Sequence, residues 1–165
     1  MPRTLVTGFE PFGPWRINSS WEGVQRLAQL QPAFVIACLP VEYDAAAADL
    51  RHAVEQHRPE RLLLTGLADR SVPTLETRAC VGPTWRAATR PHRVGRWNFD
   101  RWLRRMRAAQ IPARLSSDAG RYVCETTYWT ALGTHVREVA FLHLPPLGHA
   151  WTTARLARVI SATLR

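Results

Sequence analysis

At 165 residues and 46% hydrophobic content, the chain has the length and make-up of one compact globular domain that buries a sizeable core. No apolar run approaches the roughly twenty residues that span a bilayer, and the amino terminus enters a strand instead of a signal-peptide pattern, so a cytoplasmic protein without membrane attachment is expected. The charge of +9 rests on 22 basic residues, all arginine, which reads as coding bias before it reads as phosphate binding, and three cysteines are too few and oddly numbered for a secreted disulfide framework.

In chain order, Thr4 to Gly8 reads as a short apolar strand. Asn18 to Leu30 reads as a helix, capped from Asn18, Ser19 or Ser20, with Trp21, Val24, Leu27 and Leu30 at helical spacing. Ala33 to Leu39 is a second strand, Asp44 to Gln56 an Ala-rich helix, and Arg61 to Thr65 a continuous apolar strand. Pro73 to Val81 alternates with period two and is expected to be one extended segment, followed by an irregular loop from Pro83 to Gly95. Asn98 to Ala109 is a helix, Ala113 to Ser116 a strand, Glu125 to His135 a helix, Val139 to His143 a strand, and Trp151 to Leu164 a last amphipathic helix. Such alternation predicts an α/β fold, a single domain over 1–165 in which a mostly parallel twisted sheet carries helices on both faces.

The densest basic stretch, Trp85 to Arg107, interleaves Arg86, Arg90, Arg93, Arg96, Arg101, Arg104, Arg105 and Arg107 with Trp85, Trp97 and Trp102. Single-stranded nucleic acid could use such a mixture through phosphate pairing and base stacking. A solvated helix face or a subunit contact is the favoured account, and binding would show a steep loss with salt.

The chemistry-bearing positions are Cys124, His143 and Glu76. Gly120 to Glu125 opens a helix, where unpaired N–H groups and the positive dipole end are expected to lower a cysteine pKa. Val139 to Pro145 ends a buried strand in His143, which puts an imidazole at the carboxyl edge of a sheet. Glu76 lies on the extended segment and could orient that imidazole. Each has a plain alternative: a small buried hydrophobe for Cys124, a satisfied core histidine for His143, and a surface charge on an edge strand for Glu76. No Cys/His spacing suggests a metal, and thiol hydrolysis requires no cofactor.

These residues carry a resemblance to the pyroglutamyl peptidases (pyrrolidone-carboxylate peptidases), a family of cysteine peptidases. Leu5-Val6-Thr7-Gly8-Phe9-Glu10-Pro11-Phe12-Gly13 is similar to that family's opening signature, and Ile17-Asn18-Ser19-Ser20-Trp21-Glu22 follows it with one change. Leu39-Pro40-Val41-Glu42-Tyr43, Gly66-Leu67-Ala68 with Arg70, Leu75-Glu76, Ala119-Gly120 with Val123-Cys124, and Leu142-His143-Leu144-Pro145 resemble further motifs in the same order.

The resemblance implies removal of an N-terminal 5-oxoproline from a peptide with a blocked N-terminus. Cys124 would be the nucleophile, His143 the proton carrier and Glu76 its orienting partner. Phe9 and Phe12 match positions that flank the lactam ring, with Tyr122 and Val123 walling the pocket; covering the sheet edge is the alternative for the two phenylalanines. Asn18 also matches, although helix capping explains it equally, and Arg70 could stabilise an anion or form a structural ion pair. The Cys124 N–H and the Gly66–Arg70 turn are the places to look for oxyanion donors. Self-association into a homo-oligomer is hinted at in the same way.

This chain departs from the family in four places. Glu125 stands where the family has asparagine and is expected to raise the thiol pKa; the Gly66–Arg70 turn is one residue shorter; the stretch from Val81 to Asn98 is much shorter; and Pro146 and Gly148 replace a different pattern. A catalytically reduced or substrate-shifted member that serves as a binding protein is therefore the second expectation, and a nucleic-acid binder the third.

Overall fold

The computed structural model describes residues 2–81 and 91–165. Its elements run β1 (Thr4–Phe9), α1 (Ser19–Leu30), β2 (Val35–Leu39), α2 (Tyr43–His57), β3 (Arg61–Leu67), β4 (Thr74–Glu76), β5 (Arg78–Cys80), β6 (His92–Val94), α3 (Phe99–Ala108), β7 (Arg114–Ser116), α4 (Val123–Leu132), β8 (Glu138–Leu144) and α5 (Thr153–Leu164). The main sheet has the order β2-β1-β3-β8-β4-β7, and β5 pairs with β6 in a separate hairpin. Every neighbouring pair in the main sheet is parallel except β4 with β8.

Buried parallel strands read as continuous apolar runs because each face is covered by helices, and period-two alternation sends neighbours to opposite sides. In β3, Leu62 and Leu64 enter the layer under α2 and α4, whereas Leu63 enters the layer under α1, α3 and α5. Along β8, Val139 and Phe141 join the first layer and Ala140, Leu142 and Leu144 the second. The mostly parallel sheet with helices on both faces is therefore as the sequence predicts.

Three expectations change. Pro73 to Val81 is two strands, because at Thr77 the backbone passes from the main sheet to the hairpin: Thr77 N–H donates to Ser116 O at 2.7 Å and Thr77 O accepts Gly95 N–H at 2.8 Å. Of the expected irregular loop, residues 83–90 lie outside the described part, as do Trp85, Arg86 and Arg90, while His92–Val94 is strand β6 in register with β5. The helix expected to reach His135 stops at Leu132, where Arg96 donates to the carbonyls of Leu132, Thr134 and Val136. A guanidinium fork there supplies donors for the orphan carbonyls and a cation for the negative helix end.

Candidate active site

β1, β3 and β8 end at one edge of the sheet, and a cavity of 430 Å³ opens there. Such a crevice beyond the strands' carboxyl ends is where open α/β sheets place ligands. Phe9 comes from the end of β1, Leu67 from the end of β3 and His143 from β8, while the loop before α4 brings Ala119, Gly120 and Tyr122.

β4 lies inside the sheet, between β8 and β7, so Glu76 is fully buried and is no edge-strand surface charge. The antiparallel register sets Glu76 opposite Phe141 and Thr74 opposite His143, which makes Glu76 and His143 diagonal neighbours on one face. Their side chains meet: His143 Nδ1 lies 2.8 Å from Glu76 Oε1. The same oxygen accepts a hydrogen bond from Arg70 Nη1 at 2.7 Å, and Arg70 also bonds the Thr74 hydroxyl and, at 2.9 Å, the Asp118 carbonyl. Arg70 is thus an ion-pair partner of Glu76 as well as part of the cavity wall. His143 is 4% exposed, against the ring of Phe141 at 4.8 Å between centroids, so its orientation is fixed from two sides.

Cys124 occupies the first turn of α4 and lines the same cavity as His143. Its sulfur rests on Gly66: a Cβ at that position would stand 2.9 Å from Sγ. Gly66 is in register with His143, so the sulfur sits over the strand next to the imidazole's own. Tyr122, the N-cap residue, supplies no side-chain hydrogen bond, although its carbonyl accepts the Glu125 N–H at 3.1 Å.

The resting thiol is not activated by its helix end, contrary to expectation. Burial pushes Cys124 up to about 12 and the Glu76 carboxylate pushes the same way, against smaller opposing effects of its own backbone N–H and of Arg70. Cys124 retains some surface exposure, and its sulfur is nonetheless walled in by Gly66. Desolvation disfavours the thiolate, and here it outweighs the dipole. Glu125 is not among these causes. Its carboxylate is buried, accepts the Cys80 N–H at 3.2 Å and lies outside the cavity lining, which answers the expectation that it would raise the thiol pKa.

All the pocket residues singled out from the sequence, Phe9, Phe12, Asn18, Arg70, Tyr122 and Val123, line this cavity with Cys124 and His143, and Glu76 stands behind the imidazole. Asn18 is also the cap of α1: its Oδ1 accepts from Ser20 N–H at 3.0 Å and Ser20 Oγ at 2.8 Å, and its Nδ2 donates to Glu10 O at 2.9 Å. Sequence reasoning overlooked Trp15, Val41 and Tyr43 in the lining. Val41 and Tyr43 fall in the Leu39–Tyr43 motif, a signal that was present; Trp15, in the loop after β1, carries no chemical signature in sequence. In the basic stretch, Trp102 is buried with Nε1 bonded to Thr163, Arg61 covers Trp97, and Arg93 stacks on Trp129 at 3.9 Å. Among the described residues no cluster of three or more metal-ligating side chains occurs, and no helix is long and apolar enough to cross a membrane.

A family model described as pyroglutamyl peptidase matches residues 2–81. The chain is 31% identical to a pyrrolidone-carboxylate peptidase of Gloeobacter violaceus, over 88% of this chain and 82% of that protein. It is 29% identical to pyroglutamyl-peptidase 1 of Homo sapiens, over 97% of this chain and 87% of that protein. The pyrrolidone carboxyl peptidase structure from Thermus thermophilus superimposes with a TM-score of 0.83 at 29% identity, covering 98% of each chain.

Proposed function

The chain belongs to the pyroglutamyl peptidase family, and on that premise we propose that it removes N-terminal 5-oxoproline from peptides by thiol acyl transfer through Cys124, His143 and Glu76. The observation that carries this assignment of roles is the buried Glu76–His143 contact at 2.8 Å, directed from behind into the cavity that Cys124 also lines. A carboxylate on Nδ1 holds the imidazole in the tautomer whose Nε2 is free to accept a proton, and it stabilises the imidazolium that follows.

In the first half-reaction the Cys124 proton passes to His143 Nε2 as Sγ bonds to the carbonyl carbon that follows the lactam ring. The C–N bond then breaks, the imidazolium proton goes to the departing amine, and a pyroglutamyl thioester remains on Cys124. Water attacks this ester with His143 as base, giving free 5-oxoproline and the thiol. Burial works against the thiolate, which is why a base is needed to take the Cys124 proton. The Cys124 N–H is one oxyanion donor. In the Gly66–Arg70 turn, Ala68 N–H is held by Leu144 O at 3.0 Å and Arg70 N–H by Ala68 O at 2.7 Å, which directs the search for the second donor to Asp69 N–H.

Phe9, Phe12, Trp15, Val41, Tyr43 and Leu67 give the cavity an apolar wall. A flat uncharged lactam suits such a lining, whereas a free N-terminal ammonium would lose its hydration there. Hydrolysis of a fluorogenic pyroglutamyl amide tests the proposal, with Cys124→Ala and the open-chain glutamine amide as controls. Cleavage that requires Cys124 and rejects the glutamine amide is the expected result; turnover that survives Cys124→Ala refutes the nucleophile, and equal cleavage of both amides refutes the lactam pocket.

A further inference from the structure

Helix α4 grips the β4–β5 segment at two points. Tyr128 Oη donates to the Glu76 carbonyl at 3.0 Å, and Glu125 Oε1 accepts the Cys80 N–H at 3.2 Å. Residues three apart share a helix face, so 125 and 128 present one edge of α4 to this segment while Cys124 turns its sulfur toward Gly66. Glu125 is 5% exposed and Tyr128 is fully buried, and neither lines the cavity.

The anchoring is unusual for a helix start. Glu125 is the third helical residue, the position from which a capping-box glutamate folds back to the N-cap N–H. Here it reaches sideways to another strand, and Tyr122 offers no cap of its own. The hold on Tyr128 is completed by Gly95, whose N–H donates to Thr77 O at 2.8 Å and where an added Cβ would stand 2.2 Å from Tyr128 Oη.

Building on the roles proposed above for Cys124, His143 and Glu76, we infer that Tyr128 and Glu125 are positioning residues. They form a two-point brace that fixes the nucleophile-bearing turn of α4 against the β4–β5 segment, Tyr128 at Glu76 and Glu125 at Cys80. The backbone of Glu76 is held by one end of the brace and its carboxylate holds His143, so a single rigid unit sets the sulfur relative to the imidazole. Release of either end lets the two halves of the site drift, and misplacement by about an ångström costs on the order of a hundredfold in rate.

The test compares Tyr128→Phe, Glu125→Ala and Glu125→Gln with Thr163→Val, which removes the buried partner of Trp102 on the opposite side of the sheet and touches nothing in the site. With a pyroglutamyl amide, Tyr128→Phe and Glu125→Ala are expected to lose about tenfold or more in kcat with KM within about twofold. Glu125→Gln, which keeps an acceptor for Cys80 N–H, should recover most of kcat, and Thr163→Val should keep it at a similar loss of thermal stability. The brace is overturned if Tyr128→Phe falls no further than Thr163→Val, and the acceptor role of Glu125 is overturned if Gln is as poor as Ala. Should the wild-type protein not cleave pyroglutamyl amides, the functional reading fails separately. The rate of Cys124 alkylation by iodoacetamide, resolved from Cys38 and Cys80 by peptide mass, then decides: a change in Tyr128→Phe that is absent from Thr163→Val upholds the brace, and equal rates reject it.

Discussion

Gly66→Ala probes how closely the site is built. The added Cβ would stand 2.9 Å from Cys124 Sγ and 2.9 Å from Phe141 Cζ, well inside ordinary contact. Phe141 cannot retreat: it is fully buried, with Phe9 at 6.5 Å, Tyr128 at 5.7 Å and His143 at 4.8 Å between ring centroids. The Cys124 sulfur must therefore move, by about 0.5 Å to regain contact distance, which is the whole tolerance of a preorganised site. Overpacking of this size costs about 1–3 kcal/mol of stability. If Cys124 is the nucleophile proposed above, its displacement is expected to lower kcat by roughly 10- to 100-fold while KM changes little. Steady-state kinetics on a pyroglutamyl amide, with urea denaturation to check folding, measures both. A Gly66→Ala protein with wild-type kcat and unchanged stability would show that the sulfur does not rest on this strand.

Two further outcomes follow from the same geometry. The thiols of Cys124 and Cys38 are raised from 9.0 to about 12 and about 11, both chiefly by burial, so above pH 9 the unfolded chain releases protons that the folded chain keeps. Their stabilising effect is complete below that pH and is lost as pH rises toward the folded values; urea midpoints from pH 7 upward should decline in the wild type and decline less in Cys124→Ala, and parallel curves would contradict the burial of the thiol. Arg96→Met should lower stability by about 2–3 kcal/mol, since the fork makes four hydrogen bonds to carbonyls beyond and within the last turn of α4, and an unchanged melting temperature would contradict that role.

The alternation of apolar runs with helical periodicities determined the layered sheet, because each strand needs cover on both faces and each amphipathic helix needs a sheet to cover. The resemblance carried by the motif order brought Phe9, Phe12 and Asn18 into view, and Cys124 and His143 stood out also because they open a helix and end a strand. Trp15 was not visible in this way, because an aromatic residue in a loop carries no mark of which cavity it will wall. The split of Pro73–Val81 was equally hidden: the period-two pattern continues through Thr77, and only the competing acceptor of Ser116 and donor of Gly95 divert the backbone. The environment of Cys124 was decided by packing alone. Sequence placed Cys124 at a helix start and so suggested an activated thiolate, but a pKa depends on how many atoms and charges surround the sulfur, and it was the closing of Gly66 and Glu76 about Cys124 that made desolvation outweigh the helix dipole.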